Sequence, residues 1–316
     1  MKHMGKRIVK IALCVLAGII ALLLVAIGVL NAVKFNIYPE YYDIKTDLCK
    51  NPGLGDGFIC QGICADDPYD RILVSGYMKN HSASRVYVTD LDGKSYYVTL
   101  TKDGKAFTGH AGGIALYEDT VYIASGNALH IIPFHALTAA SNGDSIEIVA
   151  SIEVNNAASF VYADDLYIYV GEFHDGGDYV TDHPYETPDG TQYAIVSRYP
   201  HEDLSAPDKI YSIRNKVQGI CFTPNGKIVM STSYGLTDSV YYVYNEADAV
   251  DSGLTLDGAP VYYVNNYIKE IKGPAMAEGL DYYKGKVITL TESASNKYIF
   301  GKFFRANQIV SLDLDS

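Results

Sequence analysis

Three features of the 316-residue sequence predict an all-β protein that follows a single membrane helix. The chain contains 28 Tyr and 10 Phe but no Trp, and Tyr and Phe favour β-strands. An uncharged apolar stretch lies near the N-terminus, and five weakly similar copies of a paired β pattern begin at residue 57. Together they predict an all-β β-propeller of five four-stranded blades, closed by an N-terminal strand and preceded by one transmembrane helix.

The N-terminal region is predicted to be a signal anchor. Residues 1–10 form a basic tail, and the apolar residues 11–33 can cross the hydrocarbon layer of about 30 Å as a helix. A cleaved signal has a shorter apolar region of about 7–15 residues before small residues, and Leu30-Asn31-Ala32 does not fit that pattern. We therefore expect an uncleaved helix, a short linker over residues 34–40 and an extracytoplasmic propeller over residues 41–316.

The distribution of charge predicts the orientation of the chain in the membrane and argues against nucleic acid as a partner. Lys2, Lys6, Arg7 and Lys10 precede the helix, and the positive-inside rule keeps such residues in the cytoplasm. We expect a single-pass cell-membrane protein with a cytoplasmic N-terminus and an extracellular C-terminal domain. All 37 acidic residues follow the helix and the net charge is −12, so nucleic acid is not an expected partner.

The cysteines form no C-x-x-C pair, which argues against a thiolate zinc site. Outside the membrane, Cys49 could form a disulfide with Cys60 or Cys64, and the sequence does not choose between them. Cys64 and Cys221 occupy the same position in different repeats, so we interpret them as small buried side chains.

Each repeat starts with a small or polar residue, often followed by Gly, then has an apolar run, a tight turn and a second β run. The turns contain acidic, Asn-Gly or Lys-Gly pairs, which favour short hairpins. The paired runs span residues 61–75, 112–125, 158–170, 218–231 and 278–290. A third run follows in each copy, and fourth runs are predicted at residues 96–98, 146–149, 210–213 and 267–271.

The fifth copy ends without a fourth run, and the missing strand is predicted at residues 41–48. A ring closed in this way leaves no free sheet edge at the junction of its ends.

Long or polar loops are predicted on one face of the ring, at residues 77–84, 172–192, 234–239 and 292–307. Binding and catalytic residues concentrate on such loops. The first strands of the repeats should begin around the channel at this face, with Gln61, Gly112 near His110, Ala158, Gln218 and Glu278.

Glu278 is the candidate catalytic residue, because a carboxyl group in a narrow channel tends to have the raised pKa that suits acid or base chemistry. The alternative is a carboxylate hydrogen-bonded to loop amides. Gln61 and Gln218 could orient a polar ligand or bridge adjacent blades. The predicted ligand-binding residues are Gln61, Tyr77, His110, Glu172, Gln218, Tyr234, Glu292 and Lys297.

No cofactor is predicted. The acidic loop from Glu172 to His183 could hold a divalent cation, but its spacing matches no metal motif, and a solvated surface loop is the alternative. Phosphate-loop, nucleophile-elbow and His-Glu zinc-helix motifs are not found in the sequence, so whether the chain is an enzyme stays open.

Gln61-Gly62, Glu278-Gly279 and Glu292-Ser293 resemble the strand ends of the five-bladed glutaminyl-peptide cyclotransferase family. The resemblance implies a substrate site in the channel mouth built from tryptophans and an acidic residue, which Glu278 matches in position. The chain has no Trp, so the resemblance does not extend to the activity. The whole chain looks more like uncharacterised membrane-anchored five-bladed propellers of Gram-positive bacteria, which implies no reaction.

The preferred hypothesis is a binding or interaction module for a peptide, a small molecule or an envelope protein. One alternative is a channel-mouth enzyme, a glutaminyl cyclotransferase or hydrolase, with Glu278 as acid or base and Gln61, His110 and Gln218 as positioning groups. Another is a structural scaffold in the cell envelope.

Overall fold

A computed structural model describes residues 2–298 and 300–314. The helix Lys2–Ile37 and the short helix Pro39–Ile44 lead into five blades of four antiparallel strands. The inner strands of neighbouring blades contact one another in a closed cycle around a channel. The predicted all-β five-bladed propeller is confirmed, and the N-terminal helix is long and apolar enough to cross a membrane.

We number the blades 1 to 5 along the chain and letter their strands a to d from the channel outward. In blade 1 the strands are Phe58–Asp66, Arg71–Met78, Arg85–Asp90 and Ser95–Lys102. In blade 2 they are Gly113–Tyr117, Thr120–Ser125, Ala128–Pro133 and Ala150–Glu153. In blade 3 they are Phe160–Ala163, Tyr167–Gly171, Ala194–Pro200 and Lys209–Ile213. In blade 4 they are Val217–Phe222, Lys227–Thr232, Ser239–Asn245 and Lys269–Gly273. In blade 5 they are Ala277–Tyr283, Lys286–Thr291, Gln308–Leu312 and the N-terminal strand Lys45–Lys50.

Smaller elements decorate the blades. Short helical segments are Asp67–Tyr69, Phe134–Ala139, Glu246–Asp248 and Phe300–Phe304. The additional strands are Lys105–Ala106, Ser145–Glu147, Tyr185–Thr187, Gly190–Gln192, Val250–Leu256 and Ala259–Tyr263.

The N-terminal strand closes the ring as predicted, but it begins later than the sequence suggested. Lys45 pairs with Leu312 and Lys50 with Gln308, whereas residues 39–44 are helical. Pro39 at the start of this helix and Glu40 in its first turn suit a helix N-terminus. The prediction of a strand over residues 41–48 is therefore wrong for residues 41–44.

Two predicted outer strands also differ from the structure. Residues 145–147 do not form strand d of blade 2; they pair in parallel with strand d of blade 1, and Ala150–Glu153 takes the predicted place. Ile146 and Ile148 are buried there in one apolar cluster with Leu100, so burial decides the pairing. In blade 4, strand d starts at Lys269, two residues later than predicted.

The same kind of link joins blades 3 and 4. The hairpin formed by Val250–Leu256 and Ala259–Tyr263 belongs to the blade 4 segment but pairs in parallel with strand d of blade 3. Each link covers an outer strand that would otherwise expose unpaired backbone groups.

Cys49, Cys60, Cys64 and Cys221 are buried free thiols. The disulfide that the sequence left open between Cys49 and Cys60 or Cys64 is not formed. Burial raises the pKa of Cys64 and of Cys221 well above the usual thiol value, which agrees with their interpretation as small buried side chains.

Candidate functional site

A cavity of about 540 Å³ lies at the channel mouth on the face that carries the long loops. The starts of the five inner strands all contribute to its lining, as the repeat pattern predicted: Gln61, Gly112, Ala158, Gln218 and Glu278. His110, Tyr77, Tyr234, Glu292 and Lys297 also line it. The structure therefore brings together every predicted site residue except Glu172.

Glycines beside these positions allow the inner strands to approach closely. A Cβ atom at Gly113 would lie 2.4 Å from the backbone nitrogen of Val161, and one at Gly62 would lie 2.5 Å from that of Ile114. A Cβ atom at Gly219 or Gly279 would likewise come too close to the backbone of the next blade. These contacts fix the ring of polar side chains around a narrow mouth.

Two carboxyl groups occupy the blade 5 side of the cavity. Glu278 is the second residue of strand a and Glu292 follows strand b, and the Glu292 backbone N–H donates to the Met276 carbonyl at 3.0 Å. Met276 has a left-handed φ of 67°, a conformation that costs a residue of this type about 1–3 kcal/mol. Backbone strain of this kind is common where a chain must direct a functional side chain.

Glu278 is buried, with an exposed fraction of 3%, and its carboxyl group has no hydrogen-bond partner among the described residues. Burial raises its pKa well above the usual value, the nearby charge of Glu292 raises it further, and Lys297 opposes both effects. The predicted alternative of a carboxylate bonded to loop amides is therefore not observed. Burial therefore favours the protonated form of Glu278, whose carboxyl group faces the cavity.

Glu292 differs from Glu278 because it is hydrogen-bonded. Its Oε2 accepts from Gln61 Nε2 and from the Tyr298 hydroxyl, each at 3.1 Å. Burial raises the pKa of Glu292, and the bonds from Tyr298 and Gln61 together with the charge of Lys297 lower it in part. Glu292 is thus the member of the pair that holds a negative charge more readily.

His110 extends this network as a neutral group. Burial, followed by the charge of Lys297, lowers the pKa of His110 to about 4. Its Nε2 lies 2.7 Å from Gln61 Oε1, and Gln61 Nε2 donates to Glu292, so His110 donates to the Gln61 carbonyl oxygen. Gln61 therefore connects blades 1, 2 and 5, which agrees with the predicted role of bridging adjacent blades.

Lys297 supplies the positive charge of the site. Its ammonium group donates to the Tyr77 hydroxyl and lies 4.7 Å and 4.9 Å from the ring centroids of Tyr77 and Tyr298. The Tyr77 ring in turn packs against His110, with centroids 4.4 Å apart. These contacts hold the cation at the cavity wall, where it stabilises the ionised form of either carboxyl group.

Aromatic side chains form the opposite wall. Phe173 packs against Tyr179 and Tyr234, with ring centroids 5.4 Å and 6.0 Å apart. The cavity is also lined by four side chains that the sequence did not predict as site residues: Phe173, Tyr179, Met276 and Tyr298. Phe173, Tyr179 and Tyr298 lie in the long loops of this face, which is the signal that the sequence offered, whereas Met276 lies outside those loops.

Glu172 does not line the cavity. It is buried behind the aromatic wall, where it accepts from the backbone N–H groups of Ala157 and Ile195 and pairs with His183 Nδ1 at 2.9 Å. The hydrogen bond to Glu172 raises the pKa of His183. Glu172 thus anchors the loop that carries Phe173.

His174 and Asp175 of this loop are also engaged internally. His174 bonds to Thr181, and Asp175 accepts from two backbone N–H groups of the loop. Over residues 2–298 and 300–314, no group of three or more His, Cys, Asp or Glu side chains is arranged to hold a metal ion.

The opposite mouth of the channel is wider, with a volume of about 1100 Å³, and is lined by acidic turns. Asp281, on the inner strand of blade 5, accepts hydrogen bonds from the backbone N–H groups of Ala65 and Tyr282. Asp281 is therefore satisfied within the protein, unlike Glu278.

Neither a family model nor a curated protein matches the chain. Among solved structures it is similar to the glutaminyl cyclase of Myxococcus xanthus, with 9% identity, a TM-score of 0.45 and coverage of 85% of this chain and 97% of that one. A putative oxidoreductase (glucose dehydrogenase) of Thermus thermophilus has 11% identity, a TM-score of 0.47 and coverage of 85% and 99%. The PQQ-bound aldose sugar dehydrogenase of Streptomyces coelicolor has 14% identity, a TM-score of 0.40 and coverage of 78% and 77%.

Proposed function

We propose that the chain is a membrane-anchored binding module that holds a small ligand, or the exposed end of a larger one, in the channel mouth. The observation that supports this most directly is Glu278, a buried carboxyl group that faces the cavity without a hydrogen-bond partner among the described residues. Because the carboxyl oxygens of Glu278 face the cavity and bond to no described residue, they are available to bond to a ligand there.

The chemistry of the cavity favours a ligand with an N–H or O–H donor beside a flat or apolar part. The side-chain carboxyl group of Glu278 can accept a hydrogen bond from such a donor. A ligand ammonium group would also favour ionisation of Glu278 and Glu292. The rings of Tyr77, Phe173 and Tyr234 offer apolar faces, and Gln218 adds a polar side chain to the lining.

A thermal-shift screen of peptides, glycans and divalent cations on the full chain in detergent tests this proposal. We expect a ligand that raises the melting temperature and binds Glu278→Gln at least about tenfold more weakly, which corresponds to about 1.4 kcal/mol. Asp281→Asn is the matched control, since it alters a channel carboxyl group of the opposite mouth.

Equal affinity for wild type and Glu278→Gln would contradict the proposed site. Stabilisation by none of the ligands would favour the alternative of a structural scaffold in the cell envelope.

A second candidate function is catalysis at the same mouth, favoured by the adjacent carboxyl groups Glu278 and Glu292. Burial raises the pKa of both groups, which suits a proton donor and a proton acceptor. Assays of N-terminal glutamine cyclisation and of peptide and glycoside hydrolysis would test it. Activity that Glu278→Gln retains in full would count against Glu278 as the acid or base.

We further propose that the N-terminus is cytoplasmic and that the propeller lies outside the cell. The basic residues Lys2, Lys6, Arg7 and Lys10 before the helix support this orientation. Protease added to intact cells should remove the propeller and leave the tail protected; protection of the propeller would reverse the orientation. Secretion of a shortened chain would instead identify the helix as a cleaved signal.

A further inference from the structure

The helix Lys2–Ile37 meets the propeller through one loop of the channel-mouth face. Asn31 Nδ2 donates to the carbonyl oxygens of Lys302 and Phe303 at 2.9 Å and 3.1 Å, and Lys34 Nζ donates to the Arg305 carbonyl at 3.0 Å. These carbonyls belong to the loop over residues 292–307, which also carries Lys297 of the cavity. The anchor therefore contacts the loop that builds the site.

The chain enters the ring from this same face. Tyr38 is buried, packs edge-on against Phe304, and donates its hydroxyl to Asp238 at 2.8 Å. The short helix Pro39–Ile44 then runs towards the opposite face, where the Asp313 N–H donates to the Ile44 carbonyl. Residues 6–25 of the long helix are exposed, so its apolar part extends beyond the channel-mouth face.

Exposed apolar side chains lie in the loops of this face. Val180, Leu236 and Phe300 are 72%, 54% and 55% exposed, and none of them closes the propeller core. Phe300 lies beside the basic residues Lys302 and Arg305 near the anchor, a combination that favours an anionic bilayer interface, whereas Val180 lies between Asp178 and Asp182.

The opposite face has a different character. Tyr69 and Leu166 are exposed there to a similar degree, but they lie among the acidic side chains of the wide mouth, which include Asp67 and Asp165. Acidic groups are repelled by anionic lipid headgroups. The channel-mouth face also carries acidic side chains, so what distinguishes it is the contact with the anchor and the basic pair Lys302 and Arg305 beside Phe300.

We propose that the propeller docks on the bilayer with its channel-mouth face towards the lipid headgroups, and that the occupant of this surface is the membrane that holds its own anchor. The cavity then opens into the narrow space between the ring and the membrane. A ligand must reach it along the membrane surface.

The absence of Trp from the sequence provides a direct test, because one introduced Trp reports its own surroundings. The full chain is reconstituted in nanodiscs of phosphatidylcholine with phosphatidylglycerol, some of the lipid carrying a headgroup spin label that quenches Trp fluorescence. Phe300→Trp and Leu236→Trp report the docked face, and Tyr69→Trp and Leu166→Trp are matched exposed controls on the other face.

We expect quenching of the first two variants to be at least about threefold stronger than that of the controls. Equal quenching at all four positions, or stronger quenching of the controls, would overturn the proposal. No quenching at any position would also overturn it, because the channel-mouth face would then lie away from the lipid headgroups.

The basic residues provide a second measurement. Replacing Lys302 and Arg305 with Gln, or using phosphatidylcholine alone, should weaken the quenching of Leu236→Trp by about twofold or more. Quenching that is unaffected by both changes would contradict an interface with anionic headgroups. Neither measurement uses a ligand of the cavity, so docking and ligand binding can fail independently.

Discussion

The carboxyl group of Glu278 is buried and close to a second carboxyl group, so the folded protein favours its protonated form. An unfolded chain releases this proton near the ordinary pKa of Glu, at about 4.3. The folded state retains the proton to a higher pH. The contribution of Glu278 to stability is therefore greatest below that ordinary value and is lost as the pH rises through the folded pKa.

Glu278→Gln should remove this pH dependence. We expect the variant to melt near the wild-type temperature at pH 4 and to be more stable than wild type at pH 8, by about 1–3 kcal/mol. Melting temperatures at the two pH values measure the difference, with the exposed substitution Glu153→Gln as control. An equal change in stability at both pH values would show that the carboxyl group is not held in its protonated form.

At the scale of single elements, the inner strands are held together by close backbone contacts at glycine. Gly113→Ala would place a Cβ atom 2.4 Å from the nitrogen of Val161, so a strand must move. We expect a loss of about 1–3 kcal/mol in the free energy of unfolding, measured by urea denaturation.

Gly55→Ala is the control, since Gly55 has open space around the corresponding position and no left-handed φ. Comparable stability of the two variants would mean that blades 2 and 3 can separate at the channel without cost.

At the scale of the whole molecule, the N-terminal segment both carries the helix that is long and apolar enough to cross a membrane and completes blade 5. Without Lys45–Lys50, strand Gln308–Leu312 would become an exposed edge, and Tyr41 would no longer stack on Tyr241. A chain that starts at residue 51 should therefore melt at least about 10 °C below one that starts at residue 34. Differential scanning calorimetry of both chains in detergent measures this, and equal melting temperatures would refute closure by this strand.

Much of the architecture follows from local sequence, because hairpin turns and β runs repeat with the same order in every blade. The N-terminal apolar stretch, the five copies and the missing last strand were all predictable in this way. So was the ring that contains Gln61, Gln218 and Glu278, since equivalent repeat positions must meet at the channel.

The tertiary structure decided the features that depend on competition between distant segments. Residues 145–147 and 150–153 have similar strand-forming character, and only the available sheet edges and the burial of Ile146 assign them to different blades. The same applies to Glu278 and Glu292. The sequence does not show which of the two carboxyl groups is hydrogen-bonded. In the structure Gln61 and Tyr298 bond to Glu292, and Glu278 faces the cavity without a partner among the described residues.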